Sequence, residues 1–154
     1  IRLGNSARTP PNGEPNIAAL MAGLQRAVRR LTEAGKRVVL IGSVPEMGWS
    51  VPSAVAAHLA FGRPLPKAPT SERYAPADRG AGDAALAEFA LRNEAVDYIS
   101  VIDLFCDPAC RYHEDFEPLY FDGHHLSSVG TAILANYVLR LVVSNIRTDG
   151  AGFR

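Results

Sequence analysis

Asp122 and His125 stand three residues apart in Tyr120-Phe121-Asp122-Gly123-His124-His125-Leu126-Ser127-Ser128, immediately ahead of a long, periodically apolar segment. That spacing lets the carboxylate fold back and accept a hydrogen bond from the near ring nitrogen, Nδ1. Nε2 is then left to take a proton from a nucleophile. The positive end of the following helix disfavours imidazolium and helps keep such a base neutral. Acid and base together are the half of a hydrolytic triad that activates a weak nucleophile. His124, only two residues from Asp122, is expected to point elsewhere. Ser127 or Ser128 suits the helix N-cap better than attack, because a serine there satisfies orphan amides. Asp-x-x-His is a weak signal by itself, since a capping aspartate beside two surface histidines reads the same way. A metal reading would take Asp122, His124, His125 and His113 as ligands. Neighbouring histidines rarely converge on one ion, and no helical i, i+4 pair is present, so no metal or other cofactor is expected.

The other chemically capable residues are scattered. Ser43 and Glu46 follow a predicted strand at its carboxyl end, where open α/β sheets bind ligands, although loops are polar anyway. Trp49 suits a half-buried loop anchor, and His58 lies on a short predicted helix with no assigned role. The two cysteines, Cys106 and Cys110, enclose Asp-Pro-Ala. They admit a disulfide pinching a turn, two thiols of a metal site with His113 as a third ligand, or two unrelated thiols. No fourth zinc ligand is evident.

The elements that must position these residues follow from periodicity. Ile17, Leu20, Met21, Leu24, Val28 and Leu31 recur at spacings of three and four, so a helix is predicted from about Pro15-Asn16 to a stop at Gly35. Val38-Val39-Leu40-Ile41 is a short apolar run rich in β-branching and reads as a parallel strand buried on both faces. A short helix is predicted over Ser53–Phe61. A proline-rich excursion follows over Arg63–Asp78, then a helix over Ala81–Asn93 burying Ala85, Leu86, Phe89 and Ala90. Val96–Leu104 reads as a second parallel strand and Arg111–Leu119 as irregular chain. Ser128–Asn145 reads as a last helix burying Val129, Ala132, Ile133, Tyr137 and Leu141. Residues 1–16 read as a loop-like lead-in and 147–154 as a polar tail. The class is α/β with at least two parallel strands, and the chain is expected to form a single domain over 1–154. A helix at the start with no strand ahead of it, and an opening on Ile1 rather than Met, lead us to expect that N-terminal strands precede this stretch.

Composition narrows the function classes. Sixteen basic residues balance sixteen acidic ones, so no global field favours nucleic acid or an anionic membrane. No apolar run reaches the roughly 18–20 residues of a membrane span.

Several passages together resemble the SGNH (GDSL-type) hydrolases, more narrowly the SGNH domains fused to bacterial acyltransferase-3 O-acetyltransferases. Gly35-Lys36-Arg37-Val38-Val39-Leu40-Ile41 followed by Val44-Pro45-Glu46 resembles the family's helix–strand–Pro-Glu passage. Tyr98–Leu104 precedes the Cys106…Cys110 pair, Asp122-Gly123-His124-His125-Leu126-Ser127 resembles its Asp-x-x-His-Leu-Ser block, and Gly130-Thr131-Ala132 resembles the opening of its last helix. The resemblance implies a three-layer α/β/α sandwich with a parallel sheet, of the SGNH-hydrolase or flavodoxin-like kind. It also implies Asp122 and His125 as acid and base of a Ser-His-Asp triad, a Cys106–Cys110 disulfide, an O-acyl ester of a glycan as substrate, and a periplasmic or extracytoplasmic location. A fused membrane acyltransferase domain becomes a possible partner. The family's nucleophilic serine belongs to a Gly-Asp-Ser block that this stretch does not show. Gly4-Asn5-Ser6 imitates it, but prolines intervene before the helix, against the sharp strand-to-helix turn a nucleophile elbow needs. Ile1–Ser6 is closer to the passage supplying an oxyanion-hole donor, with Asn5 the candidate. The expectation is therefore the C-terminal portion of a serine esterase or O-acyltransferase domain whose serine lies outside this chain. The alternatives are a non-catalytic module binding a glycan or partner, and a metal-dependent hydrolase.

Overall fold

The computed structural model describes residues 14–75 and 80–149, and at 14–16 and 144–149 the backbone alone. In order these form α1 (Glu14–Glu33), β1 (Val38–Ile41), α2 (Val51–Phe61), a 3-10 turn (Ser71–Tyr74), α3 (Ala81–Leu91), β2 (Val96–Ile99) and α4 (Val101–Phe105). Two small hairpins follow, β3 (Cys106–Asp107) with β4 (Ala109–Cys110) and β5 (His113–Glu114) with β6 (Glu117–Pro118), then α5 (Ser128–Asp149). The chain divides into two compact units, Ile1–Ser43 with Glu72–Ser100, and Val44–Ser71 with Val101–Arg154.

The unit that carries α1, β1, α3 and β2 contains the parallel sheet. β1 and β2 pair in register from Val38↔Val96 to Ile41↔Ile99, and Arg37 meets Asp97 at 3.1 Å beside the first pair. α3 packs on β2, and α1 on α3 and β1. α1 stops where Gly35 predicted: Gly35 takes φ 70°, its amide donates to Thr32 and that of Lys36 to Leu31, the paired bonds of a Schellman cap. The helix starts at Glu14, ahead of the predicted Pro15-Asn16 and inside the predicted lead-in. Ser43 is tied off structurally, its amide and hydroxyl both donating to Asp83 in the first turn of α3. β1 is not buried on both faces as expected, and Ile41 is 47% exposed. Among the described residues the sheet has two strands, so β1 lacks the second neighbour that would cover it.

The other unit has its core in Tyr120, Leu119, Val51, Val101, Phe105 and Val55, all nearly fully buried. The predicted strand over Val96–Leu104 ends at Ile99, because Val101, Ile102 and Phe105 turn inward together as the one-turn helix α4. Cys106 and Cys110 face each other across β3–β4 and form a disulfide, which excludes the thiol and metal readings of the pair. Closing so short a loop constrains the unfolded chain little, so its contribution is local shape.

The stretch Arg111–Leu119, expected to be irregular, holds the hairpin β5–β6. Its two turn residues, Asp115 (φ 47°) and Phe116 (φ 63°), occupy the left-handed region that glycine or asparagine usually fills. Phe116 is held there by packing, its ring stacked on His58 at 5.2 Å and on His113 at 5.5 Å. α5 runs to Asp149, past the predicted end and into the predicted tail. It turns Val129, Ile133 and Leu141 inward as expected, but leaves Ala132 and Tyr137 exposed.

Gly130, in the first turn of α5, is buried where a Cβ would lie 2.2 Å from the Leu119 carbonyl oxygen. That oxygen also accepts the Ser127 amide, so it cannot retreat freely. Gly130→Ala is expected to destabilise the protein by about 3 kcal/mol, read as a lower urea midpoint at unchanged m-value.

Candidate active site

The Asp122–Ser127 turn is fastened at several points within its own unit. Met47 donates its amide to the Gly123 carbonyl at 2.7 Å and Val51 donates to Asp122 at 3.1 Å. A side chain at Gly123 would come within 2.8 Å of the Trp49 carbonyl, so the close approach of these two backbones needs glycine. Trp49 is half-buried, with its ring edge-on to Tyr112 at 4.9 Å, an anchor for this brace as expected. On the far side Tyr120 bridges Leu126 and the Phe121 amide donates to the His125 carbonyl at 3.0 Å. Ser127 is the N-cap of α5: its hydroxyl accepts from the Gly130 amide at 3.2 Å and donates to the Pro118 carbonyl at 2.7 Å.

Within this turn Asp122 and His125 meet as their spacing predicted. Asp122 Oδ2 lies 2.7 Å from His125 Nδ1, and Oδ1 accepts the backbone amides of His124 and His125, each at 2.8 Å. The His125 ring and these two amides hold the carboxyl well below the usual carboxylate range. Asp122 is therefore ionised throughout the neutral range, and an ionised carboxylate only accepts. In the neutral ring the proton shared with Asp122 accordingly sits on Nδ1, which leaves the Nε2 lone pair for a nucleophile. His125 makes no further hydrogen bond among the described residues, and its side chain is 58% exposed.

His124 does not point elsewhere. Its ring packs on His125 with centroids 4.0 Å apart, and its Nδ1 lies 3.6 Å from Asp122 Oδ1. The same carboxylate draws both imidazoles inward. Asp122, His124 and His125 consequently bring ligand atoms within 4.8 Å of one another, although neighbouring histidines rarely converge. His113 is not among them; it packs against Tyr112 and Phe116. An ion bound to all three through His125 Nδ1 would take the atom that donates to Asp122. Metal holding and acid–base pairing are thus alternative uses of this turn.

Nothing in the spacing singles out Phe121, yet its ring stacks on His125 at 5.4 Å and 19°. An aromatic directly before an Asp-x-x-His block is the only sequence signal for it. His58 is occupied elsewhere, with Nδ1 2.8 Å from the Arg63 carbonyl. Asn5 and Ser6 lie outside the described residues.

An Asp-x-x-His pair fixed ahead of the last helix of a parallel α/β chain is the arrangement expected of SGNH domains. The chain belongs to that class: the family model "SGNH domain (fused to AT3 domains)" matches residues 3–140. Among solved structures it is similar to the periplasmic domain of a lipopolysaccharide acetyltransferase from Salmonella ser. Paratyphi A. The TM-score is 0.62 and the identity 21%, over 90% of this chain and 54% of that one. The likeness shows the SGNH-type α/β fold, and the chain spans about half the length of that domain. No curated protein matches it.

Proposed function

We propose that this chain is the C-terminal portion of a serine esterase or O-acyltransferase domain acting on O-acyl, principally O-acetyl, esters of glycans. Asp122 and His125 supply the acid and base of its Ser-His-Asp triad. The observation that carries this reading is the 2.7 Å bond between His125 Nδ1 and the Asp122 carboxylate, with Nε2 unengaged among the described residues. The nucleophilic serine is read as lying outside this chain. That is supported by the coverage of about half of the similar domain and by the lack of any serine bonded to His125 among the described residues. The family match runs through both compact units, which supports reading them as parts of one domain.

In this mechanism the serine hydroxyl attacks the ester carbonyl as its proton passes to His125 Nε2, and Asp122 stabilises the imidazolium. Collapse of the tetrahedral intermediate returns that proton to the departing sugar alkoxide and leaves an acyl-serine. Water or a second sugar hydroxyl then gives its proton to Nε2, attacks, and releases acid or acylated product. Asn5 is proposed as an oxyanion-hole donor. A fused membrane acyltransferase domain is read as the acyl source, and the family's description, which names such a fusion, supports it. No helix among the described residues is long and apolar enough to cross a membrane. A periplasmic location is supported by the Cys106–Cys110 disulfide and the periplasmic domain it resembles.

The test is turnover of an acetylated glycoside by the complete gene product. Acetyl release that a serine-directed organophosphonate abolishes is expected; release indifferent to the reagent overturns the reading.

A further inference from the structure

We infer that Phe121 is the platform on which the pyranose ring bearing the scissile ester stacks, and so a specificity-determining residue of this site. The inference rests on the esterase or acyltransferase reading above and concerns how its glycan is held.

Phe121 is 63% exposed although it sits in a turn held by several backbone hydrogen bonds. One aromatic neighbour, His125, covers one face of its ring at 5.4 Å, nearly parallel. No other ring among the described residues contacts Phe121, and most of its side chain is accessible. Phe61 is also exposed, but the Arg63 guanidinium lies over its ring at 5.7 Å. Phe116 has His58 and His113 stacked on it. Phe121 thus combines an accessible ring with contact to the candidate catalytic base.

The chemistry of an open aromatic face selects its ligand. The face carries the negative end of the ring quadrupole. One face of a pyranose is a flat array of C–H groups whose hydrogens carry partial positive charge, and such contacts are weak but directional. A small acyl group has no comparable flat face and gains little here. The ring contact with His125 sets a sugar held on Phe121 beside the candidate base.

The test uses the complete protein with Phe121→Ala, Phe121→Leu and Phe121→Trp, and reads the ratio of kcat/KM for a mono-O-acetylated methyl pyranoside to that for ethyl acetate. The ratio is expected to fall about tenfold or more in the Ala and Leu variants, mostly through KM, and to return in the Trp variant, as stacking on an aromatic face is lost or restored. A ratio within twofold of wild type in Phe121→Ala, or equal recovery by Leu and Trp, overturns the inference. Both results would mean that the ring only supports His125. If the wild type turns over neither ester, the esterase reading itself fails. The platform is then judged by NMR titration with the unacetylated methyl pyranoside, where shifts that persist in Phe121→Ala overturn it and their loss upholds it.

Discussion

Replacing His125 by alanine in the complete protein is expected to lower kcat/KM for ester turnover by about 10⁴–10⁶-fold, the scale at which a triad loses its base. No other imidazole among the described residues is bonded to Asp122 in its place. His124 lies against His125, but its Nδ1 stands 3.6 Å from Asp122 Oδ1 and makes no hydrogen bond to it, so that ring is not oriented as a base. The fold should survive, because the His125 side chain is more than half exposed and its partners are confined to the turn. A thermal midpoint near wild type would show that the loss is chemical. Turnover within tenfold of wild type would remove His125 from the mechanism.

Asp122→Asn is expected to cost about 10⁴-fold in kcat with little change in shape, for a reason of proton placement. An asparagine oxygen can still accept the two amides at Oδ1, but the group facing His125 becomes an NH₂ donor. Nδ1 must then accept, the ring proton moves to Nε2, and the base cannot receive a proton from serine. The substitution also carries a pH signature in folding. Because the folded carboxyl is depressed below its unfolded value, its contribution to stability is complete above the unfolded value and disappears as pH falls through the folded one. The difference in urea midpoint between wild type and Asp122→Asn should therefore shrink on acidification from neutral pH. A difference that grows instead would mean that the carboxyl is not held ionised by this turn.

Much of this arrangement was legible in the sequence, and the failures have local causes. Val38–Ile41 and the start of Val96–Leu104 declared a parallel pair through β-branched apolar runs, and Gly35 declared the end of α1 through the one residue type that fits its cap. Asp122 and His125 were legible because a three-residue offset in a tight turn is short enough to fix a hydrogen bond before tertiary packing acts. Val101–Phe105 misled because β-branching indicates strand, whereas packing of Phe105 against the core decided for a helical turn. The β5–β6 hairpin was invisible because its turn places Asp115 and Phe116 where glycine or asparagine would signal it. The contacts that hold Phe116 come from His58, far away in sequence. His124 was misplaced for a related reason. Offset alone gives no hint that one carboxylate will draw two adjacent imidazoles together.

Whether Asp122 and His125 serve a serine is decided by covalent labelling. The complete gene product would be treated with an organophosphonate and the adduct located by peptide mass spectrometry, beside the His125→Ala variant. One adduct is expected, on a serine encoded upstream of Ile1, formed at least about 10³-fold more slowly without His125. No serine adduct, or one formed equally fast in both proteins, would contradict that role.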